Sequence, residues 1–108
     1  MRDIEEKMVR AIQDKKSFTL DNTKVIIQDD NTIEVLLHNN LIARIKIDGS
    51  MLLFDGGYQS STTKNRLNAL LYGRPQKIYQ KNYCWYVTDT IKNKTILFED
   101  INTLNLQF

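Results

Sequence analysis

Between Asp55 and Arg74 the chain gathers residue types that can hold an anion. Gly56-Gly57 leads into Ser60, Ser61, Thr62, Thr63 and Lys64. At a helix start, free backbone N–H groups, hydroxyls and a cation together form a phosphate-binding environment. One hydroxyl suffices to cap a helix, so four in succession exceed what capping requires. The segment lacks the spaced glycines of a dinucleotide fold and the Gly-Lys-Ser/Thr ending of a P-loop. An enzyme or sensor for a phosphate-containing ligand is one reading of it.

A second chemistry follows downstream. Residues 64–94 carry Lys64, Arg66, Arg74, Lys77, Lys81, Lys92 and Lys94 against a single acid, Asp89. Tyr72, Tyr79, Tyr83, Trp85 and Tyr86 lie among them. Cations can contact phosphates, and rings can stack on unpaired bases. Arg74, Lys77, Lys81, Tyr72 and Tyr79 are the candidate nucleic-acid contacts, provided they share one face. Tyr83, Trp85 and Val87 alternate as core residues would.

Other chemistries have little support. One His and one Cys fall short of the four ligands of a structural zinc site. Asp29, Asp30 and Glu34 surround a turn without the calcium-loop pattern and read as a solvated hairpin. His38 sits in the turn His38-Asn39-Asn40. Cys84 stands beside Trp85 in a strand pattern, where cysteine is usually a small core residue. Neither has a visible catalytic partner, so the expectation is a protein that is not an enzyme, with no metal and no cofactor.

The elements that position these residues follow from periodicity. Asp3 and Glu6 read as a capping box. Ile4, Met8, Ala11 and Ile12 then share one face of a helix ending near Lys15-Lys16. From Ser17 the period changes to two. Phe18 and Leu20; Val25 and Ile27; Ile33, Val35 and Leu37; Leu41, Ala43, Ile45 and Ile47; and Met51 and Leu53 mark five strands. Arg44 and Lys46 point outward. The short Asn- and Asp-rich spacers between them join neighbouring antiparallel strands. Asp55-Gly56-Gly57 breaks the sheet. Leu67, Leu70 and Leu71 mark a short helix over about 62–72, closed by Gly73 and Pro75. Strands return at 77–80, 83–87 and 95–98, and Ile101 to Phe108 reads as a last edge strand.

The fold class is therefore α+β in one domain spanning 1–108: an N-terminal helix, an antiparallel β meander, a short central helix and further β-strands. Hydrophobic residues at 42% and charged residues at 26% are ordinary for a globular chain. No apolar run approaches the roughly 20 residues of a membrane helix, and the N-terminus lacks a secretory h-region. With a single cysteine, a reducing cytoplasm is the expected location. Residues 1–54 carry eight basic and nine acidic side chains, so the excess of positive charge lies in the second half.

The stretch Gly57-Tyr58-Gln59-Ser60-Ser61-Thr62-Thr63-Lys64-Asn65-Arg66-Leu67-Asn68 resembles a motif of a family of small phage-encoded proteins. The pattern is Gly-Trp-x-Ser/Thr-x-Thr-Thr-x-x-Arg-Leu/Ile-Asn, with Tyr58 in place of the Trp. His38-Asn39-Asn40-Leu41-Ile42-Ala43 is similar to that family's His-x-Asn-x-Ile-Ala hairpin. Tyr83-Cys84-Trp85-Tyr86 and Phe98-Glu99-Asp100 look like its later strand and turn, with Ile101 in place of a Gly. The resemblance spans about residues 32–106. It carries over no catalytic residue; it implies a phage or prophage protein acting in the bacterial host cytoplasm.

In that setting the leading expectation is a non-enzymatic accessory protein that binds a host or defence component, as an anti-CRISPR-like inhibitor would. Its contacts would be Tyr58, Ser60, Thr62, Thr63, Lys64, Arg66 and Asn68. A net charge of +2 argues against mimicry of DNA. Arg66 and Asn68 can instead tie the helix to the preceding loop. Direct binding of single-stranded nucleic acid is the alternative. A homodimer through Leu104, Leu106 and Phe108 is a further expectation.

Overall fold

Helix α1 runs from Asp3 to Asp14. Asp3, Glu5 and Glu6 lie in its first turn, where negative charge suits the helix dipole. The N-cap sits one residue earlier than the sequence pattern indicates, and only the glutamate half of a capping box forms. Arg2 is the N-cap, and Glu5 Oε1 accepts its backbone N–H at 3.0 Å. This register turns Glu5 inward, where its second carboxylate oxygen meets Arg66. Met8 and Ala11 are buried alongside Glu5, with Val9 and Ile12 packed at the margin. Lys15 takes a left-handed conformation (φ 53°) and ends the helix; the Lys15 and Lys16 N–H groups return to the Ile12 and Ala11 carbonyls.

Five strands follow as an antiparallel meander: β1 (Phe18–Leu20), β2 (Thr23–Ile27), β3 (Ile33–Leu37), β4 (Asn40–Ile45) and β5 (Met51–Leu53). The β3–β4 turn has φ of 51° at His38 and 64° at Asn39. A two-residue loop with both φ positive matches the right-handed twist of the strands it joins. Along the sheet, Val25, Val35, Ala43 and Leu53 are successive cross-strand neighbours, as are Ile27, Ile33, Ile45 and Met51. Most of these side chains are buried and form the floor of the core.

The expected alternation of β4 holds only in part. Val35 opposes Ala43 while Leu36 opposes Leu41, so Ile42 is an extra, bulged residue. The bulge turns Ile42 inward, leaving it 1% exposed. Its carbonyl accepts the Phe54 N–H at 2.8 Å. Ile47, expected to continue the buried set, is 73% exposed in the β4–β5 turn, because the strand ends at Ile45.

Helix α2 spans Ser61–Leu70. Ser60 is the N-cap, its hydroxyl accepting the Thr63 N–H. Gly73 supplies the positive φ of the turn beyond the helix. Then β6 (Gln76–Lys81), β7 (Cys84–Asp89) and β8 (Lys94–Leu97) form a separate three-stranded antiparallel sheet. Its inward residues Ile78, Trp85 and Val87 join Met8, Leu67, Leu70 and the floor of the meander in one continuous core. Phe98 meets Trp85 edge-on at 5.5 Å. One core and a radius of gyration of 13.1 Å fit one α+β domain, for which about 13 Å per 100 residues is typical.

The computed structural model describes residues 1–98. The expected edge strand at Ile101 to Phe108, the Phe98-Glu99-Asp100 turn beyond Phe98 and the dimer edge of Leu104, Leu106 and Phe108 lie outside the described residues. Among the described residues no helix is long and apolar enough to cross a membrane.

Candidate functional site

The Gly57–Asn68 segment divides into residues that hold the fold and residues that face solvent. The Ser60 and Thr63 hydroxyls bond each other at 2.9 Å, and Thr63 is buried. Arg66 is 3% exposed. Its Nη1 donates to Glu5 Oε2 at 2.9 Å, and its Nε donates to Thr23 Oγ1 at 3.1 Å. These bonds tie α2 to α1 and to β2, rather than to the preceding loop. The Asn68 side chain donates to the Ile78 carbonyl at 2.8 Å and accepts the Ile78 N–H at 2.9 Å, clamping α2 to β6. Thr63, Arg66, Leu67 and Leu70 thus form one inward stripe at helical spacing.

Outward the segment presents Tyr58, 77% exposed, with Gln59 and Ser61 also exposed and Thr62 and Lys64 half-buried. Gly56 (φ 73°) and Gly57 (φ 92°) carry the chain into this loop. Asp55 Oδ1 accepts the Gly57 N–H at 2.7 Å, and the Tyr58 carbonyl accepts the Ser60 N–H at 3.0 Å. The tyrosine therefore stands on a loop fixed from both sides.

The basic and aromatic candidates also separate. Tyr72 and Arg74 line a recess of about 180 Å³ between α1, α2 and the β4–β5 strands, with Val9, Ile12 and Met51. Arg74 Nη1 reaches the Gly49 carbonyl at 3.4 Å, and burial lowers the guanidinium pKa from its ordinary value. Lys77, Tyr79 and Lys81 occupy alternate positions of β6, opposite to buried Ile78, and so share the outer face of the second sheet. Across the strands, Lys77 pairs with Thr88, Tyr79 with Tyr86 and Lys81 with Cys84. Thr95 and Leu97 of β8 continue the first two rows. The Tyr79 and Tyr86 rings stack with centroids 5.6 Å apart and planes at 25°.

The acid of this sheet lies on the face opposite Lys77 and Lys81, where its neighbour on β8 is Lys94. Asp89 pairs with Gln76 on the opposite parity, and its carboxylate accepts the Gln76 amide at 3.0 Å. It also accepts the Lys92 N–H at 2.8 Å and the Ile91 N–H at 3.0 Å. The Lys92 N–H above all, aided by Ile91 and Gln76, holds this carboxyl below the usual carboxylate range. The outer positions of β6–β8 carry two lysines and no acid.

Tyr86 was not among the sequence-derived contacts. The signal was there: Trp85 and Val87 point inward, so the residue between them points out. Tyr83, at the β6–β7 turn, is 94% exposed and has φ 65°, a conformation a bulky side chain rarely takes. Glu34, one of the three turn acids, is held by Arg44 and by Gln28. Cys84 and His38 are exposed. Among the described residues, no three His, Cys, Asp or Glu side chains gather as metal ligands would.

Residues 1–105 match the profile of the Kyanoviridae Gp96 protein, a phage family. The chain belongs to the Kyanoviridae Gp96 protein family. The matched span takes in both helices and both sheets, so the Gp96 unit contains the β6–β8 face as well as the Tyr58 loop. No curated protein and no solved structure matches the chain.

Proposed function

We propose that this phage protein is a non-enzymatic binding module, active in the cytoplasm of the bacterial host, and that it engages single-stranded nucleic acid through the outer face of β6–β8. One observation carries the reading: Lys77 and Lys81 flank the stacked Tyr79–Tyr86 pair on a single sheet face, from which Asp89 is turned away. Rings on a flat sheet accept unpaired bases whatever their sequence, and lysines beside them meet the phosphates. Fluorescence anisotropy with a labelled mixed-sequence single strand at low salt tests it. Wild type binds, Tyr79→Ala weakens binding about 5- to 150-fold, the equivalent of about 1–3 kcal/mol per stacked base, and Lys64→Ala leaves binding unchanged. No affinity in wild type at low salt refutes it.

A second reading rests on Tyr58, an exposed aromatic on a fixed loop, which is the kind of anchor that protein interfaces use. Here Tyr58, Thr62 and Lys64 contact a host or defence protein, while Ser60, Thr63, Arg66 and Asn68 hold the loop and helix in place. Capture from host lysate that resists nuclease and is lost in Tyr58→Ala supports this reading. Capture that disappears with nuclease supports the first.

A further inference from the structure

We infer that the β6–β8 face takes a short segment of single strand, about two or three nucleotides, running along β6 with phosphates at Lys77 and Lys81. This rests on the nucleic-acid reading above and adds the path, the length and the charge count of the bound strand.

The geometry sets all three. Lys77 and Lys81 are four residues apart on one strand, about 13 Å at a strand rise of about 3.3 Å per residue. Tyr79 lies midway between them and on the same side. Its ring, 38% exposed, and the ring of Tyr86 provide the apolar floor. Leu97, the next cross-strand neighbour of Tyr86 and 49% exposed, extends that floor away from β6. Bases therefore project across the strands while the phosphates follow β6. At the Lys77 end, Thr88 and Thr95 add hydroxyls, with Thr95 Oγ1 donating to Thr88 Oγ1 at 3.0 Å. Asp89, engaged by Gln76 and two backbone N–H groups, stands on the opposite face of the sheet from these lysines. Bases paired in a duplex have no free faces to lay on these rings, so the occupant is single-stranded.

The test is a length and salt series. Labelled oligothymidylates and oligouridylates from about two to twelve nucleotides, a range set by known single-strand site sizes, are titrated by anisotropy against the full chain. Affinity per molecule rises steeply to about two or three nucleotides and then only with the number of overlapping registers. The slope of log K against log salt is about −1.4, at about 0.7 per neutralised phosphate. Lys77→Gln and Lys81→Gln, both at exposed positions, each remove about 0.7 from the slope. Affinity that climbs steadily to the longest oligomer, or a slope steeper than about −3, overturns the short two-lysine path while keeping nucleic-acid binding. Unchanged slopes in both lysine variants also overturn it. Absence of binding at every length refutes the underlying reading itself.

Discussion

Replacing Arg66 by Ala destabilises the protein severely without touching a binding surface. The guanidinium is 3% exposed and Glu5 is 5% exposed, so the pair is shielded from water. Glu5 Oε1 is occupied by the Arg2 N–H, and Oε2 takes Arg66 Nη1 at 2.9 Å. Removing the arginine leaves a buried carboxylate without its cation and removes the donor to Thr23 Oγ1. Breaking a buried pair in this way costs about 3–5 kcal/mol. The total stability of a small domain is about 5–15 kcal/mol, so about a fifth of it or more is lost. At about 4–8 °C per kcal/mol for a domain of this size, the melting temperature falls by about 10–40 °C. Thermal melts by circular dichroism, paired with urea titrations, measure this. The double variant Glu5→Leu/Arg66→Met recovers most of the loss, because neither charge is then buried alone. A melting temperature for Arg66→Ala that corresponds to a loss under about 0.5 kcal/mol, as at a surface site, refutes the structural role. So does a large loss of ligand binding with stability intact.

Three further outcomes follow from the same contacts. Asn68→Ala removes both bonds to the Ile78 backbone and costs about 1–3 kcal/mol; hydrogen exchange accelerates in β6–β8 more than in β1–β5, and uniform acceleration would contradict the clamp. Gly56→Ala places a Cβ 3.3 Å from Asn40 Cβ and Ile42 Cγ2 at a φ of +73°, so it destabilises by at least about 1 kcal/mol on denaturant titration, whereas an unchanged midpoint would show that the loop relaxes freely. Asp48, held below its usual pKa first by the Ser50 hydroxyl, and Asp89, held by the Lys92 N–H, titrate by NMR below an unperturbed Asp. Their folded pKa values are depressed, so the stability they contribute is complete above the unfolded value and is lost as pH falls through the folded one; ordinary midpoints would show the turns open in solution.

The order of elements was legible because each announces its own period and its own turn. Met8 and Ala11 repeat at helical spacing, Ile33, Val35 and Leu37 alternate, and Asn31, Asn39, Asn82 and Asn93 take the left-handed conformations of the turns. Tertiary constraints were not legible. The bulge at Ile42 leaves Ala43 and Ile45 inward but breaks the alternation at Leu41, and nothing local encodes it. Nor does any residue announce that β6–β8 form a second sheet instead of extending the first. Glu5 and Thr63 were hidden by type, since charged and hydroxylated residues read as surface although their spacing places them on the inward stripe; for Arg66 a tethering role was legible, but toward the preceding loop and not toward Glu5 and Thr23. An ion pair linking residues 61 positions apart has no local signature. On β6 the alternation of Lys77 and Lys81 around Ile78 is visible in the sequence, but a shared face for the cations was only a condition there and comes from the sheet itself; Tyr72 and Arg74, beyond the helix, had no register to place them.

Mapping of a short oligothymidylate onto the protein by backbone amide and side-chain NMR shifts decides between the two exposed surfaces. Shifts concentrated at Lys77, Tyr79, Lys81, Tyr86 and Thr88, with Tyr58 and Lys64 unmoved, are the expected result. Shifts confined to Tyr58, Thr62 and Lys64, or no shifts at saturating ligand and low salt, would contradict nucleic-acid binding by the β6–β8 face.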